Sequence, residues 1–174
     1  MAIREIRKKG DPILSKKCKP VTKFDDRLHM LLDDMHDTLA TFEGVGLAAP
    51  QVGILKRVFI CEYDGFSVEA INPEIISQSG EQTGTEGCLS IPGEWYEVTR
   101  PSKVTLKAQD RYGNEFTMDG EELIARCFCH ETDHLDGILF IEKITEDEKV
   151  RKFEEEPDGE DEELSEIIEE LTED

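Results

Sequence analysis

The chain has 174 residues, of which 37% are hydrophobic and 7% aromatic, and a formal net charge of -21 from 41 acidic and 20 basic residues. This length is enough for one hydrophobic core, and the composition is that of a globular domain. The acidic excess argues against a nucleic acid partner, because phosphate binding needs a basic surface. No apolar run is long enough to cross a membrane, so we expect no membrane partner.

The negative charge is concentrated at the C-terminal end. Residues 154–174 carry 13 acidic side chains and no lysine or arginine, which leaves about -8 for the rest of the chain. We therefore expect one folded domain over residues 1–150 and an acidic tail over residues 151–174, either disordered or forming a short helix. One face of such a helix would hold the apolar residues of the tail, Leu164, Ile167, Ile168 and Leu171.

The cysteines and the N-terminus indicate a cytoplasmic protein. The five cysteines have an odd count and irregular spacing, which does not indicate a disulfide framework, so we expect reduced thiols. The first five residues contain no apolar signal segment, and no transit pattern rich in Arg and Ser is present.

The first predicted element is an amphipathic helix. Apolar residues within 24–42 recur at steps of three and four, which places them on one helical face. Thr22 is the predicted cap at its start, and Gly44 is placed to end it. His29 and His36 lie on this helix among charged residues, so we expect both to be solvated.

Strands are predicted in the middle of the chain. Residues 44–53 are too rich in Gly and Ala, with one Pro, to predict a regular element. Short runs with β-branched residues or alternating polarity follow, and the last of them can pair back as a hairpin. These runs are residues 57–61, 68–72, 75–78, 104–108 and 115–118.

A second helix is predicted over residues 119–135. Asp119 or Gly120 can start it and Gly137 can end it, and a short apolar run over residues 138–141 comes next. The order is helix, several strands, helix. That order predicts an α+β fold with antiparallel β-sheets packed around the second helix, rather than alternating βα units.

The strongest local signal for chemistry lies on the second helix, at His130-Glu131-Thr132-Asp133-His134. Two histidines four residues apart project from one helical face and suit two ligands on one metal ion, with Glu131 in reach of a water. Leu123 and Cys127 precede them on the same face, so the imidazoles should be buried. A pair of buried, hydrogen-bonded core histidines is the structural alternative.

A catalytic metal site also needs a third ligand and an open position. Downstream of the motif, Asp136, Glu142 and the tail acids are candidates, and nothing distinguishes one of them. Upstream, Cys88 lies between Gly87 and Pro92 in a segment that we expect to be irregular. A lone cysteine is more often a small buried apolar residue than a ligand, so the third ligand stays open on this basis.

Three segments together resemble the signature motifs of the peptide deformylase family. They are residues 44–51 (GVGLAAPQ), 86–90 (EGCLS) and 130–134 (HETDH), in the order and at the spacing of that family. Residues 10–12 (GDP) also match, and the likeness extends over about residues 3–145. It implies an enzyme that removes the formyl group from the N-terminal methionine of new proteins and releases formate.

The resemblance also implies a metal centre. Cys88, His130 and His134 would be the metal ligands, with water in the fourth position, and Glu131 would be the general base. One divalent ion per chain is implied, with Fe(II) in cells, and Zn(II), Ni(II) or Co(II) would suit the same ligands in purified protein.

Further roles follow from the same resemblance. Gln51 and the backbone N–H of Leu89 would stabilise the oxyanion, and the substrate peptide would lie as an added strand along the site. The substrate-binding residues would be Gly44, Val45, Gly46 and Gly87 for the peptide backbone, with Leu123 and Cys127 for the methionine side chain.

The partners implied are formylmethionyl nascent peptides, and the ribosome that presents them. Some relatives dock there through a basic C-terminal helix, which the acidic tail of this chain cannot imitate. Cys129 stands where the family commonly has Gln, and we expect it to pack rather than to bind metal. Trp95 and Tyr96 either border the peptide groove or pack on the surface.

Two other function classes compete with this interpretation. A different metallohydrolase, such as a peptidase, would share only the His-Glu-x-x-His helix, and the motifs at residues 44–51 and 86–90 argue against it. The second alternative is a non-enzymatic metal-binding or peptide-binding module. Structural metal sites are usually closed by four protein ligands, so Glu131 beside an open site argues against such a module.

Overall fold

The computed structural model describes residues 2–144, and in this part of the chain two helices and seven strands are the longer elements. Within it, neither helix is long and apolar enough to cross a membrane. The division at residue 150 and the predicted tail helix lie outside the described residues and stay predictions. The elements are α1 Asp26–Phe42, β1 Gly46–Ala48, β2 Val58–Tyr63, β3 Phe66–Ser79, β4 Gln82–Cys88, β5 Ile91–Arg100, β6 Lys103–Gln109, β7 Glu115–Glu121 and α2 Glu122–Leu135.

Helix α1 begins later than its apolar periodicity predicts. The side chain of Asp25, not Thr22, caps it by accepting a hydrogen bond from the backbone N–H of Leu28 at 3.1 Å. Glu43 ends it in the left-handed conformation, with φ of 56°. The buried face of α1 holds apolar residues whose spacing of three and four predicted the helix, namely Leu28, Leu31, Leu32, Met35 and Leu39.

Five strands form one antiparallel sheet in the order β1-β2-β3-β6-β7. The side chains of β2 point alternately to the two faces of the sheet and so enter two separate parts of the core. Val58 and Ile60 face α1, whereas Phe59 packs with Phe128 of α2. Strand β3 runs through the two predicted segments without a break and absorbs two register shifts against β6. The sheet therefore lies between the two helices.

Strands β4 and β5 form a separate two-stranded antiparallel sheet that the sequence did not predict. Residues 82–88 contain two glycines and alternate weakly in polarity, so no period-2 signal marks them. The expectation that Cys88 lies in an irregular segment is wrong: it is the last residue of β4, at a register shift that follows Gly87.

Helix α2 is the central helix of an α+β fold, as predicted, and it contacts strands of both sheets. It begins at Glu122, because Asp119 and Gly120 extend β7 and pair with Thr105 and Val104 of β6. It ends at Leu135, as predicted. A short 3-10 helix over Phe140–Lys143 follows.

A disulfide joins Cys61 on β2 to Cys127 on α2, whose Cα atoms are 6.8 Å apart. The prediction of reduced thiols is wrong for this pair, because the two cysteines are 66 residues apart and only packing of α2 on the sheet brings them together. Cys18, Cys88 and Cys129 are free. Burial raises the pKa of Cys18 and of Cys129 to about 11, and Cys129 packs from α2 against the core.

An ion network ties α1 to strands β2 and β3 and to the turn between β6 and β7. The ring of His36 donates to Glu62 on β2 and, at 2.7 Å, to Glu69 on β3. Arg111 donates to the same Glu69 at 2.7 Å and to Asp33 of α1 at 3.0 Å. The expectation that His36 is merely solvated is wrong, because two carboxylates face its two ring nitrogens.

The expectation that His29 is solvated is also wrong, since its Nε2 lies 2.9 Å from the carbonyl oxygen of Arg111 and can donate a hydrogen bond to it.

The two carboxylates around His36 select its protonated form. A histidine can donate from both ring nitrogens only as the imidazolium. Hydrogen bonding to Glu69 outweighs burial and raises the pKa of His36 above its ordinary value.

This network predicts a pH-dependent stability. Because folding raises the pKa of His36, its contribution should be complete below about pH 6.5, the unfolded value, and should fade as the pH rises through the folded value. His36→Gln should therefore lower the free energy of unfolding more at pH 6 than at pH 9, by up to about 1 kcal/mol for a partly exposed pair.

Urea unfolding of both proteins at the two pH values measures this difference. Met30→Gln is the matched control, because Met30 lies on the same helix and is 59% exposed. The same loss at both pH values in His36→Gln would contradict the assignment of a charged His36.

Candidate active site

Three side chains with metal-binding atoms converge at one point between β4 and α2. Cys88 ends β4, and His130 and His134 lie one turn apart on α2, so their side chains leave the helix on the same face. One ligand atom from each lies within 4.8 Å of the other two, and Cys88 Sγ is 3.3 Å from His134 Nε2. Both histidines are buried, as the apolar stripe of α2 predicts.

This donor set fits a divalent transition metal. One thiolate and two imidazoles are ligands for Zn(II), Fe(II) and related ions, and three protein ligands leave one position open. Burial lowers the pKa of His134 well below its ordinary value and so favours the neutral imidazole that binds metals. Burial lowers the pKa of His130 as well, but hydrogen bonds with Cys88 and Glu86 outweigh burial and raise the pKa well above its ordinary value.

A buried carboxylate, that of Glu86, orients the first histidine. Its Oε2 accepts a hydrogen bond from Nδ1 of His130 at 2.7 Å, which directs Nε2 of that ring towards Cys88. Arg100 donates to both oxygens of Glu86, at 3.1 and 2.8 Å, and Arg126 donates to Oε1 at 3.0 Å. Burial raises the pKa of Glu86, but these partners outweigh it and hold the pKa well below its usual range.

The sequence did not predict this network of buried charges around Glu86. Arg100 also donates to Asp133 at 2.6 Å, and Arg126 to the carbonyl oxygen of Val98 at 2.9 Å. One signal was available: Arg126 precedes His130 by four residues on the buried stripe of α2, and a buried guanidinium requires an acidic partner. The sequence alone does not say that the partner is Glu86, because the two are 40 residues apart.

Glu131 lies between the two histidines and is 3% exposed. Its Oε2 has no hydrogen-bond partner among the described residues, and burial raises the pKa of this carboxyl group to about 7. Its other oxygen lies against Gly46, where a Cβ atom would come within 2.6 Å of Oε1. A buried carboxylate oxygen without a partner is costly in a folded protein and indicates a group that a bound molecule completes.

Gln51 points its amide nitrogen at the same place. Its Oε1 accepts a hydrogen bond from the backbone N–H of Ala48 at 2.9 Å, which fixes the orientation of the amide. Its Nε2 then donates to Ser90 Oγ at 3.1 Å and to Cys88 Sγ at 3.5 Å. Leu89, the other predicted donor, lies in the turn between β4 and β5, next to Cys88.

A cavity of about 640 Å³ opens onto this group of residues. Its wall includes the metal-ligand candidates Cys88 and His130 together with Glu131, Gln51 and Leu89. All of the predicted substrate-binding residues also line it, namely Gly44, Val45, Gly46, Gly87, Leu123 and Cys127. The structure therefore brings the separate sequence motifs together around one cavity, and Cys129 does not line it.

Comparison with known proteins identifies a family for this arrangement. The family model described as polypeptide deformylase matches residues 3–150. The chain is 56% identical to a peptide deformylase of Caldicellulosiruptor bescii over 144 residues, covering 83% of this chain and 87% of that protein. It is 52% identical to one of Acetivibrio thermocellus over 158 residues, covering 88% and 93%.

Solved structures agree with the sequence matches. A peptide deformylase from Legionella pneumophila superposes with a TM-score of 0.81 at 41% identity, covering 90% of this chain and 100% of that one. One from Thermotoga maritima gives a TM-score of 0.81 at 41% identity, covering 83% and 99%. With this fold, this site and these relatives, the chain belongs to the polypeptide deformylase family.

Proposed function

We propose that this enzyme, which removes the formyl group from the N-terminal methionine of new proteins, holds its metal on Cys88, His130 and His134 and uses Glu131 as its general base. The hydrolysis of the formyl amide follows from family membership. One observation carries the assignment of residues: three ligand atoms within 4.8 Å of one another lie beside a buried carboxylate with an unpartnered oxygen.

A divalent cation at these ligands supplies Lewis acidity, since it polarises a carbonyl oxygen and lowers the pKa of a water molecule. We propose Fe(II) as the ion used in cells, with Zn(II), Ni(II) and Co(II) able to occupy the same ligands. One soft thiolate and two imidazoles support each of these ions, and availability decides among them.

Glu131 transfers protons during the reaction. Its free Oε2 accepts the proton of the attacking water, and the same oxygen later delivers a proton to the amine that leaves as the new N-terminus. Burial suits both steps, because a carboxyl group whose pKa is raised towards 7 holds a proton long enough to pass it on.

Gln51 and Leu89 stabilise the charge that develops on the formyl oxygen. The amide of Gln51 is oriented by its hydrogen bonds with Ala48 and Ser90, and the N–H that points towards Cys88 Sγ is the one that would donate to the formyl oxygen. The backbone N–H of Leu89 is the second donor that we propose. Loss of one such donor typically costs on the order of 3 kcal/mol in the activation barrier.

The peptide substrate lies along the free edge of β1. Within the described residues β1 pairs only with β2, so its other edge can bond an extended peptide. Gly46 must be a glycine here, because a Cβ atom would lie 2.7 Å from Cys127 Sγ and closer still to Glu131. The methionine side chain enters the cavity between Leu123 and Cys127.

Because the substrates are nascent chains, we propose that the enzyme works in the cytoplasm and meets them near the ribosome. We propose that the acidic tail over residues 151–174 does not dock on ribosomal RNA, because its charge repels phosphate. The domain over residues 1–150 then carries the whole active site.

Formate release tests the function directly. Protein purified without oxygen, with its metal content measured, should release formate from formyl-Met-Ala-Ser and leave acetyl-Met-Ala-Ser intact. Cleavage of internal peptide bonds without formate release would instead support a peptidase of the His-Glu-x-x-His type.

Replacing the base should separate binding from chemistry. Glu131→Gln is nearly isosteric and removes no proposed ligand, so the variant should keep its metal while formate release falls by at least about two orders of magnitude. Metal analysis and steady-state kinetics on the same preparation measure both quantities. A variant that binds metal and turns over near the normal rate would refute the role of Glu131.

Two cysteines test the ligand set, because Cys88 is a proposed metal ligand and Cys129 is not. Cys88→Ser should weaken metal binding, since a neutral hydroxyl replaces a thiolate. Cys129→Ser is the matched control and should retain the metal, because Cys129 precedes His130 by one residue and is turned about 100° from it on the helix. Equal metal loss in both variants would overturn the choice of Cys88.

A further inference from the structure

The N-terminal segment, residues 7–9, contacts both parts of the chain that supply the proposed oxyanion donors. The backbone N–H of Arg7 donates to the carbonyl oxygen of Gln51 at 2.7 Å. Two residues further on, the backbone N–H of Lys9 donates to the carbonyl oxygen of Ser90 at 2.8 Å. One short stretch of chain therefore connects the two sides of the proposed oxyanion hole.

The two sides belong to different sheets. Gln51 lies in a 3-10 helix, Ala49–Val52, that directly follows β1 of the five-stranded sheet, and Leu89 lies in the turn of the two-stranded sheet. Within residues 2–144, no backbone hydrogen bond joins this 3-10 helix directly to that turn. The N-terminal segment supplies the backbone link, in addition to the hydrogen bond between the side chains of Gln51 and Ser90.

The turn that carries Leu89 depends on such contacts with the rest of the protein. It consists of Leu89 and Ser90, because the flanking residues Cys88 and Ile91 are already paired with each other in the ladder. A sheet of only two strands is marginally stable by itself. Because misplacing a catalytic group by about 1 Å can cost about a hundredfold in rate, an oxyanion donor in this turn must be held from outside the hairpin.

Lys8 adds a side-chain contact with the same turn. Its Nζ donates to the carbonyl oxygen of Leu89 at 3.2 Å, although the two residues are 81 positions apart in the sequence. A hydrogen bond from a charged donor is stronger than one between neutral groups. Lys8 also lines the active-site cavity, so its ammonium group holds Leu89 beside the space in which the proposed reaction takes place.

We propose that Lys8 is a positioning residue for the oxyanion hole, because its ammonium group holds the carbonyl of Leu89 and so fixes the direction of the N–H of the same residue. The two groups belong to successive peptide units that share one Cα atom, and restraining one unit limits the rotation of the other. This inference rests on the proposed function, since it takes the N–H of Leu89 as an oxyanion donor. It gives a role to a residue outside the three sequence motifs.

Kinetics of Lys8→Met on formyl-Met-Ala-Ser give the first test. Methionine retains an unbranched side chain but cannot donate to the carbonyl. The negative oxygen exists only in the transition state, so kcat should fall while KM stays within about twofold of its normal value. Loss of a whole oxyanion donor costs about 10² to 10³ in kcat, and a displaced donor should cost part of that, about tenfold.

Two further variants make this result specific. Lys8→Arg should recover most of kcat, because a guanidinium group can donate to the same carbonyl. Lys17→Met is the matched control, since Lys17 is an exposed lysine outside the cavity and its loss changes the net charge equally. All variants are compared at equal metal content and after their unfolding in urea has been measured.

Several outcomes would overturn the role of Lys8. An unchanged kcat in Lys8→Met would do so, and so would an equal fall in Lys17→Met, which would indicate an effect of net charge. A rise in KM at normal kcat would mean that Lys8 binds the substrate instead. A kcat in Lys8→Arg no higher than in Lys8→Met would show that the hydrogen bond is not what matters.

Nuclear magnetic resonance of the Zn(II)-loaded protein gives a second readout that needs no turnover. The amide signal of Leu89 should shift, and its hydrogen should exchange faster with solvent, in Lys8→Met, whereas both should stay as they are in Lys17→Met. A fall in kcat with an unaltered Leu89 amide would contradict the proposed route through this residue.

The two levels of inference fail differently. No formate from the unsubstituted, metal-loaded enzyme would refute the proposed function and the role of Lys8 with it. Formate release at the same kcat by the unsubstituted enzyme and by Lys8→Met would refute the role of Lys8 alone.

Discussion

The active site depends on the hydrogen bond between the carboxylate of Glu86 and the ring of His130. Glu86 lies on β4 two residues before Cys88, and it bonds to His130 on α2, so one group joins the elements that supply the candidate metal ligands. Arg100 and Arg126 enclose it, and removing either would leave charge buried without a full partner. A buried ion network of this kind is weak evidence for stability, but it fixes the distance between β4 and α2 and the orientation of the first imidazole.

Much of the site could be predicted because its signals are local. Two histidines four residues apart need only the helical period to be placed on one face, and the apolar stripe before them predicts their burial. The third ligand is different: composition left Cys88 open among several candidates, and only the resemblance of three motifs singled it out. Its position at the end of a strand was not foreseen, because β4 is rich in glycine and polar residues and gains its order from pairing with β5.

The features that the sequence did not reveal all join residues that are distant along the chain. The Cys61–Cys127 disulfide, the two carboxylates around His36 and the arginines around Glu86 depend on how helices pack against sheets. The spacing of apolar residues along a helix or strand predicts which face is buried. It does not predict which residues that face contacts. Polar and sulfur contacts of this type are therefore visible only once the topology is known, although a buried charge such as Arg126 at least indicates that a partner exists.

The short strand β1 has a consequence for how the protein behaves at high concentration. A sheet edge with open N–H and C=O groups is a template on which other chains can pair and aggregate. β1 is only three residues long, α2 packs against it, and the side chain of Leu89 lies beside Gly44, two residues before the strand begins. An edge of this length offers enough backbone to align one short extended segment but too little to nucleate a growing sheet between folded copies, so the unpaired edge of β1 does not become a route to aggregation.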